Sequence, residues 1–211
     1  MSERKTLKLQ ITLVPTPLCK RSLYHVLPKN QWRKLRADKL AAHGLVCDTC
    51  GKKDDDGRFF HAHEIWNCEE EIKVTAVARL TGIGIVCRTC HAVMHFENAT
   101  RISLAYRKCP LHPDAYSIFT FTFKTVDGEH AIVCSECRAV LPDPLDVVRA
   151  HFCEVNDVFL DEFHRHFAEA SAHWSGRNEL EWTVDWGAFA PMVEAAEAKR
   201  SARTHKKAGV P

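Results

Sequence analysis

Six of the ten cysteines in this 211-residue sequence fall into three C-x-x-C pairs, a spacing that presents two thiolates on one tight turn. The first two pairs, which we call the four-cysteine set, are Cys47/Cys50 and Cys87/Cys90. Structural zinc takes four ligands in a tetrahedron, and two such turns supply them. Disulfides rarely persist inside cells, so metal binding explains these cysteines better. We therefore predict a structural zinc here, with four buried free cysteines as the alternative.

A second group of ligands follows further along the chain. This second ligand set consists of Cys109, His112, Cys134 and Cys137. Between its two turns, residues 117–123 alternate strictly between apolar and polar types, which predicts a strand, and residues 126–129 have the composition of a hairpin turn. Four ligands around a β-rich segment predict a second structural zinc. The alternative is a hairpin whose cysteines simply pack.

Histidines and a carboxylate lie between the two pairs of the four-cysteine set and directly after the second pair: His61, His63, Glu64, His91 and His95. Residues 59–66 are predicted to form a strand, and residues 83–86 a second strand that runs into Cys87. Cys90 then opens a predicted helix, on which His91 and His95 share one face because they are four residues apart. A zinc bound at the cysteines would hold this helix against the strand pair, so we expect the histidines to come together.

Other elements can be predicted from residue periodicity. Residues 7–14 alternate like a strand, and residues 30–43 have helical spacing before Gly44, which is a typical helix stop. Residues 146–174 are helical in pattern, and residues 181–186 form a short extended piece. The aromatic residues that we expect in the core of the long helical segment are Phe159, Phe163, Phe167 and Trp174.

The motifs together resemble the HNH, or ββα-metal, nuclease family: Cys47-x-x-Cys50, His61-x-His63-Glu64-Ile65 and Cys87-x-x-Cys90-His91-x-x-x-His95. The resemblance implies an α+β fold in which a ββα-metal core is clamped by a four-cysteine zinc. It implies that residues 1–100 hold the N-terminal strand, a basic helix and this core, and that residues 101–148 are a zinc-ribbon-like insertion. Residues 149–198 would be the C-terminal helical part of the same domain, and residues 199–211 a basic disordered tail.

The resemblance also implies an endonuclease that hydrolyses DNA with one catalytic divalent cation such as magnesium, manganese or nickel. His91 matches the family's metal ligand on the helix, and His95 matches the residue that contacts the metal or the phosphate. In one register His63 is a metal ligand and Glu64 the general base; in the other His63 is the base and His61 substitutes for Ala62 as a ligand. Gly82 stands where the family has asparagine. The alternative is an inactive relative that binds nucleic acid or acts as an adaptor.

Composition and charge bear on the location of the protein and on its partners. No apolar run is long enough for a membrane span, and we find no secretion signal, so we expect a cytoplasmic protein without a membrane partner or a small-molecule cofactor. The net charge of +2 does not by itself indicate nucleic acid, but basic residues crowd the segments 29–39 and 199–207, which we interpret as candidate phosphate contacts. Asn67 replaces the second histidine of a metalloprotease H-E-x-x-H motif. The oligomeric state is not predicted.

Overall fold

The computed structural model describes residues 6–53, 57–72, 74–96, 111–112, 121–126, 129–134, 136–137, 140–141 and 144–207. The helices are α1 Leu23–Val26, α2 Lys29–His43, α3 Arg88–Met94, α4 Pro144–Asn156, α5 Leu160–Arg177 and α6 Ala190–Lys207. The strands are β1 Phe60–Ile72, β2 Thr75–Cys87, β3 Phe121–Val126, β4 Glu129–Cys134, β5 Val140–Leu141 and β6 Glu181–Asp185. Short 3-10 turns lie at Thr16–Leu18 and Gly187–Phe189. The predicted α+β class is confirmed, and none of the described helices combines the length and apolarity of a membrane span.

Contacts divide the chain into two compact units. The first unit comprises Met1–Leu13 and Arg88–Ala170, and the second comprises Val14–Cys87 and Ser171–Pro211. The sheet β1-β2-β6 belongs to the second unit, and the sheet β3-β4-β5 to the first.

The second unit is built on the long antiparallel hairpin of β1 and β2, in which His63 lies opposite Gly84. A bulge between Ile65 and Trp66 interrupts the register. Both strands are longer than we predicted, because the polar run after residue 66 also pairs in the sheet, where exposed positions of a hairpin tolerate charged side chains. The predicted extended piece at residues 181–186 is β6, which pairs in parallel with β2.

Helices cover one part of this hairpin. The predicted basic helix is confirmed as α2, and Gly44 ends it in a left-handed conformation with φ of 80°. The buried side chains of the core cluster come from α1 and its C-cap, β2 and α6: Leu23, Leu27, Leu80, Ile83, Val193 and Ala196. We expected a disordered tail from residue 199, but α6 continues to Lys207. Its buried residues, and a hydrogen bond from the Arg200 guanidinium to the Val26 carbonyl, anchor the helix.

In the first unit, residues 7–14 do not form the predicted strand. Their backbone groups bond instead to side chains of α4 and α5 and, at Thr12, to the Met94 carbonyl (2.8 Å). The buried Asn156 amide accepts from the Leu9 N–H (3.0 Å) and donates to the Leu9 carbonyl (2.8 Å), a pair of bonds that we call the Asn156 clamp. His166 Nε2 accepts from the Ile11 N–H at 3.0 Å. The alternating pattern thus marks a segment that bonds to helix side chains and to the Met94 carbonyl rather than to a strand.

The predicted long helix over residues 146–174 is two helices, α4 and α5, because Asp157 adopts a left-handed conformation with φ of 51°. Aspartate tolerates this conformation better than most residues do. Phe159 falls in the break and is 86% exposed, so its predicted core position is wrong. Phe163 is buried, and its ring packs against those of Phe152 and Phe167.

The β-rich segment contains the predicted hairpin. Strands β3 and β4 pair in antiparallel register from Phe121↔Cys134 to Val126↔Glu129, and β5 pairs with β4. The first part of the strand predicted at 117–123 lies outside the described residues.

Candidate metal centres

The four-cysteine set comes together as predicted. Its sulfur atoms all lie within 4.8 Å of one another, and the Cys50 and Cys87 sulfurs are 3.8 Å apart. Tetrahedral zinc with Zn–S bonds of about 2.3 Å separates its sulfurs by about 3.8 Å. A disulfide would need a separation of about 2.05 Å. The cluster therefore fits a metal ion such as zinc in size and in ligand type.

Backbone hydrogen bonds shape the first cysteine turn. The Cys47 N–H donates to the Lys52 carbonyl at 2.8 Å, and the Gly51 N–H donates to the Cys47 carbonyl at 2.9 Å. Gly51 has φ of 72°, a conformation that glycine adopts without a steric penalty. The Cys87 N–H, at the end of β2, donates to the Cys47 sulfur at 3.2 Å. Such amide donors offset the negative charge that a metal-bound thiolate carries.

Asp48 ties this turn to β2, a role that the sequence did not reveal. Its N–H donates to the Ile85 carbonyl at 2.8 Å, and its Oδ2 accepts from the Ile85 N–H at 2.6 Å. The other carboxylate oxygen pairs with His43 Nε2 at the end of α2. A Cβ on Gly84 would lie 2.9 Å from Asp48 Oδ2, so a side chain at this strand position would displace the carboxylate.

Three of the predicted histidines also come together. Ligand nitrogens of the histidine cluster, His63, His91 and His95, lie within 4.8 Å of one another, and all three residues are partly buried. Although α3 ends at Met94, the His95 N–H still donates to the His91 carbonyl at 3.1 Å, so the pair keeps its helical spacing. Their rings meet edge to face, with centroids 4.8 Å apart. Within the described part of the chain, His61 is not a member of this cluster.

Glu64 is not among the clustered residues, and its role as the general base stays a prediction. Neighbouring residues on a strand point to opposite faces, and His63 occupies the face of the cluster. The Glu64 carboxylate instead accepts from the Leu23 N–H at the start of α1 (2.7 Å) and from the Trp66 indole N–H (3.1 Å). The sequence could not show this, because Leu23 lies 41 residues away.

The space around Gly82 is open. A Cβ there would have the Ile65 Cδ1 atom at 3.9 Å as its nearest neighbour, an ordinary contact distance. A side chain at this position is therefore sterically possible.

Little of the second ligand set can be compared with the prediction. Cys109 and the side chain of Cys134 lie outside the described residues, whereas His112 is partly buried and Cys137 is exposed. The second zinc stays a prediction.

Comparison with known proteins identifies no relative of this chain. No family model, no curated protein and no solved structure matches it. Any function must therefore be argued from the geometry of the two clusters: four cysteines that fit a zinc ion, followed in the chain by three converging histidines.

Proposed function

We propose that this protein is a metal-dependent endonuclease of the HNH type that hydrolyses DNA phosphodiester bonds at the histidine cluster. The observation that carries the proposal is the convergence of His63 from a hairpin strand with His91 and His95 from the segment that follows it. A four-cysteine cluster suited to zinc lies beside these residues in the chain, because Cys87 ends β2, the partner strand of β1, and Cys90 directly precedes His91 on α3. Strand, strand, helix and zinc ligands thus occur in the order that the family resemblance requires.

The chemistry of the cluster suits a catalytic metal held by nitrogen. His91 and His95 would hold the ion, which when bound supplies a Lewis acid for the charge that develops on the phosphoryl oxygens. His63 would act as the general base, because an imidazole has an ordinary pKa near 6.5 and can accept a proton from water at neutral pH. Imidazole ligands favour nickel, zinc or other transition metals, whereas magnesium prefers oxygen ligands. We therefore expect greater activity with nickel than with magnesium.

Exposed basic side chains provide the proposed phosphate contacts. Arg33 on α2 and Lys199 and Arg203 on α6 are exposed. Two other basic residues of α2 have structural partners: Lys34 pairs with Asp38, and the Arg36 guanidinium donates to the Phe60 carbonyl at 2.6 Å. If the exposed residues bind DNA phosphates, affinity falls steeply as the salt concentration rises.

Cleavage of supercoiled plasmid by the purified protein, with each of several divalent metals, tests the proposal. His91→Ala should abolish both cleavage and binding of the catalytic metal. His63→Ala should abolish cleavage but keep metal binding, which calorimetry can measure on the zinc-loaded protein. His173→Ala, which changes an exposed histidine paired with Glu70, is the matched control and should cleave normally. A wild-type protein that cleaves with none of the metals would refute the proposal.

A non-cleaving nucleic-acid-binding protein is the second candidate. Its support is the engagement of Glu64 with Leu23 and Trp66, together with the glycine at position 82. This candidate predicts salt-sensitive DNA binding without cleavage. Because a Cβ at residue 82 meets no close neighbour, Gly82→Asn would then be the change to try for restoring activity.

A further inference from the structure

We propose that His151 is a hydrogen-bond donor to the metal-bound thiolate of Cys90 and that this bond slows the release of zinc from the four-cysteine set. His151 lies on α4, and its Nε2 atom is 3.2 Å from the Cys90 sulfur. The histidine side chain is 16% exposed, and Cys90 is fully buried. This contact joins residues 61 positions apart, and no motif in the sequence indicates it.

The direction of the hydrogen bond follows from the chemistry of the site. A cysteine that binds zinc is a thiolate, which has no proton to donate. The hydrogen between the two atoms must therefore belong to His151 Nε2, which fixes the tautomer of a neutral ring. The second ring nitrogen, Nδ1, lies 3.8 Å from a Glu154 carboxylate oxygen, which is too far for a direct hydrogen bond.

A hydrogen-bond donor at Cys90 stabilises the negative charge of the zinc site. Zinc with four thiolates carries a formal charge of about −2, and a buried anionic site needs hydrogen-bond donors around it. At Cys47 the donor to sulfur is the backbone N–H of Cys87, whereas at Cys90 it is an imidazole from another helix. A donor lowers the electron density on sulfur, so the thiolate becomes a poorer target for protons and for electrophiles that would remove it from the metal.

The proposed role of His151 concerns the zinc site alone, so it does not depend on whether the protein is an endonuclease. It also has a clear rival, in which the His151 nitrogen itself binds the metal in place of one sulfur. Both nitrogen and sulfur are ordinary zinc ligands, so the two readings must be separated by the spectrum of the bound metal.

The experiment measures the rate at which the full-length zinc protein loses metal to a chromogenic chelator. His151→Phe keeps an aromatic ring but removes the donor. It should weaken zinc affinity by about 10- to 100-fold, the usual effect of losing an outer-shell partner, and this loss should be measured as faster zinc release. His151→Gln offers an amide donor and should speed it less. His164→Phe, at an exposed histidine of α5, is the control and should match wild type. Every variant carries the same second ligand set, so differences among them report on the four-cysteine set.

Two measurements on the wild-type protein make the test independent of how the variants fold. In protein loaded with a magnetically active cadmium isotope, the His151 Nε2 proton should show scalar coupling to the metal through the thiolate. In the same cadmium-loaded protein, His151 Nε2 should show no one-bond coupling to the metal, which it would show if it were itself a ligand. An unchanged release rate in folded His151→Phe, the absence of the proton coupling, or a one-bond coupling of Nε2 to the metal would each overturn the proposal.

Discussion

Replacing Gly84 with alanine tests whether the Asp48 carboxylate holds the first cysteine turn in place. The added methyl group would lie 2.9 Å from Asp48 Oδ2, well inside the 3.4–4 Å range of ordinary contact. The carboxylate cannot move away without lengthening its 2.6 Å bond to the Ile85 N–H, and Ile85 is almost fully buried. A buried donor without its acceptor costs about 1–3 kcal/mol. If metal binding requires the turn, zinc affinity should fall by roughly 5- to 150-fold.

The assay is zinc competition against a chelator of known affinity, with thermal melting of the zinc-loaded protein as a second measurement. Gly82→Ala is the matched control, because it adds the same methyl group to the same face of β2, where the nearest atom is 3.9 Å away. This control should stay within about 0.5 kcal/mol of wild type. Equal zinc affinity of the Gly84→Ala and Gly82→Ala proteins would refute the reasoning.

A double-mutant cycle tests whether the effect of Gly84→Ala acts through the Asp48 carboxylate. If the clash with the Asp48 carboxylate is the whole cause, Gly84→Ala should add little in an Asp48→Ala background. Additive losses would show that the methyl group acts on something else.

Three further predictions concern the rest of the chain. Asn156→Ala removes the Asn156 clamp and leaves two buried backbone groups unsatisfied, so the free energy of unfolding in urea should fall by roughly 2–6 kcal/mol. Asn178→Ala, which removes a single exposed bond to a backbone N–H, should lower it by less than about 1 kcal/mol. Equal losses in the two variants would contradict this expectation. The Gly187 N–H and the Arg79 guanidinium hold the pKa of Asp185 below its ordinary value. Asp185→Asn should therefore lower the melting temperature at neutral pH, and this difference should disappear as the pH falls through the lowered pKa; a difference that persists in acid would be the contrary result. Elemental analysis should find two zinc ions per chain, and a value near one would exclude the second ligand set.

Features set by short-range patterns could be predicted from the sequence. The cysteine pairs, α2 with its terminal Gly44, and the β3–β4 hairpin depend on residues that are close together in the chain. Ligand spacing and apolar periodicity encode such features directly. The convergence of His91 with His95 also belongs here, because a helix places residues four apart on one face.

Features set by distant partners could not be predicted. The role of Glu64 depends on where α1 lies, and the Cys90 sulfur meets a histidine 61 residues away. The N-terminal segment alternates like a strand, but nothing local shows that its partner is an asparagine side chain. Phe159 has the spacing of a core residue, and only the break at Asp157 removes it from the helix face.

The hydrogen bonds of residues 9 and 11 affect the order in which parts of this chain can fold during synthesis. Leu9 and Ile11 bond to side chains 147 and 155 residues further along the chain. All four cysteines of the four-cysteine set have left the ribosome once Cys90 emerges, whereas the N-terminal segment must wait for α4 and α5 to be synthesised. Contacts across such long separations form late, because closing the intervening loop is entropically costly. Leu9 and Ile11 thus leave the ribosome well before the helices that bind them, and their apolar side chains stay unburied until those helices form.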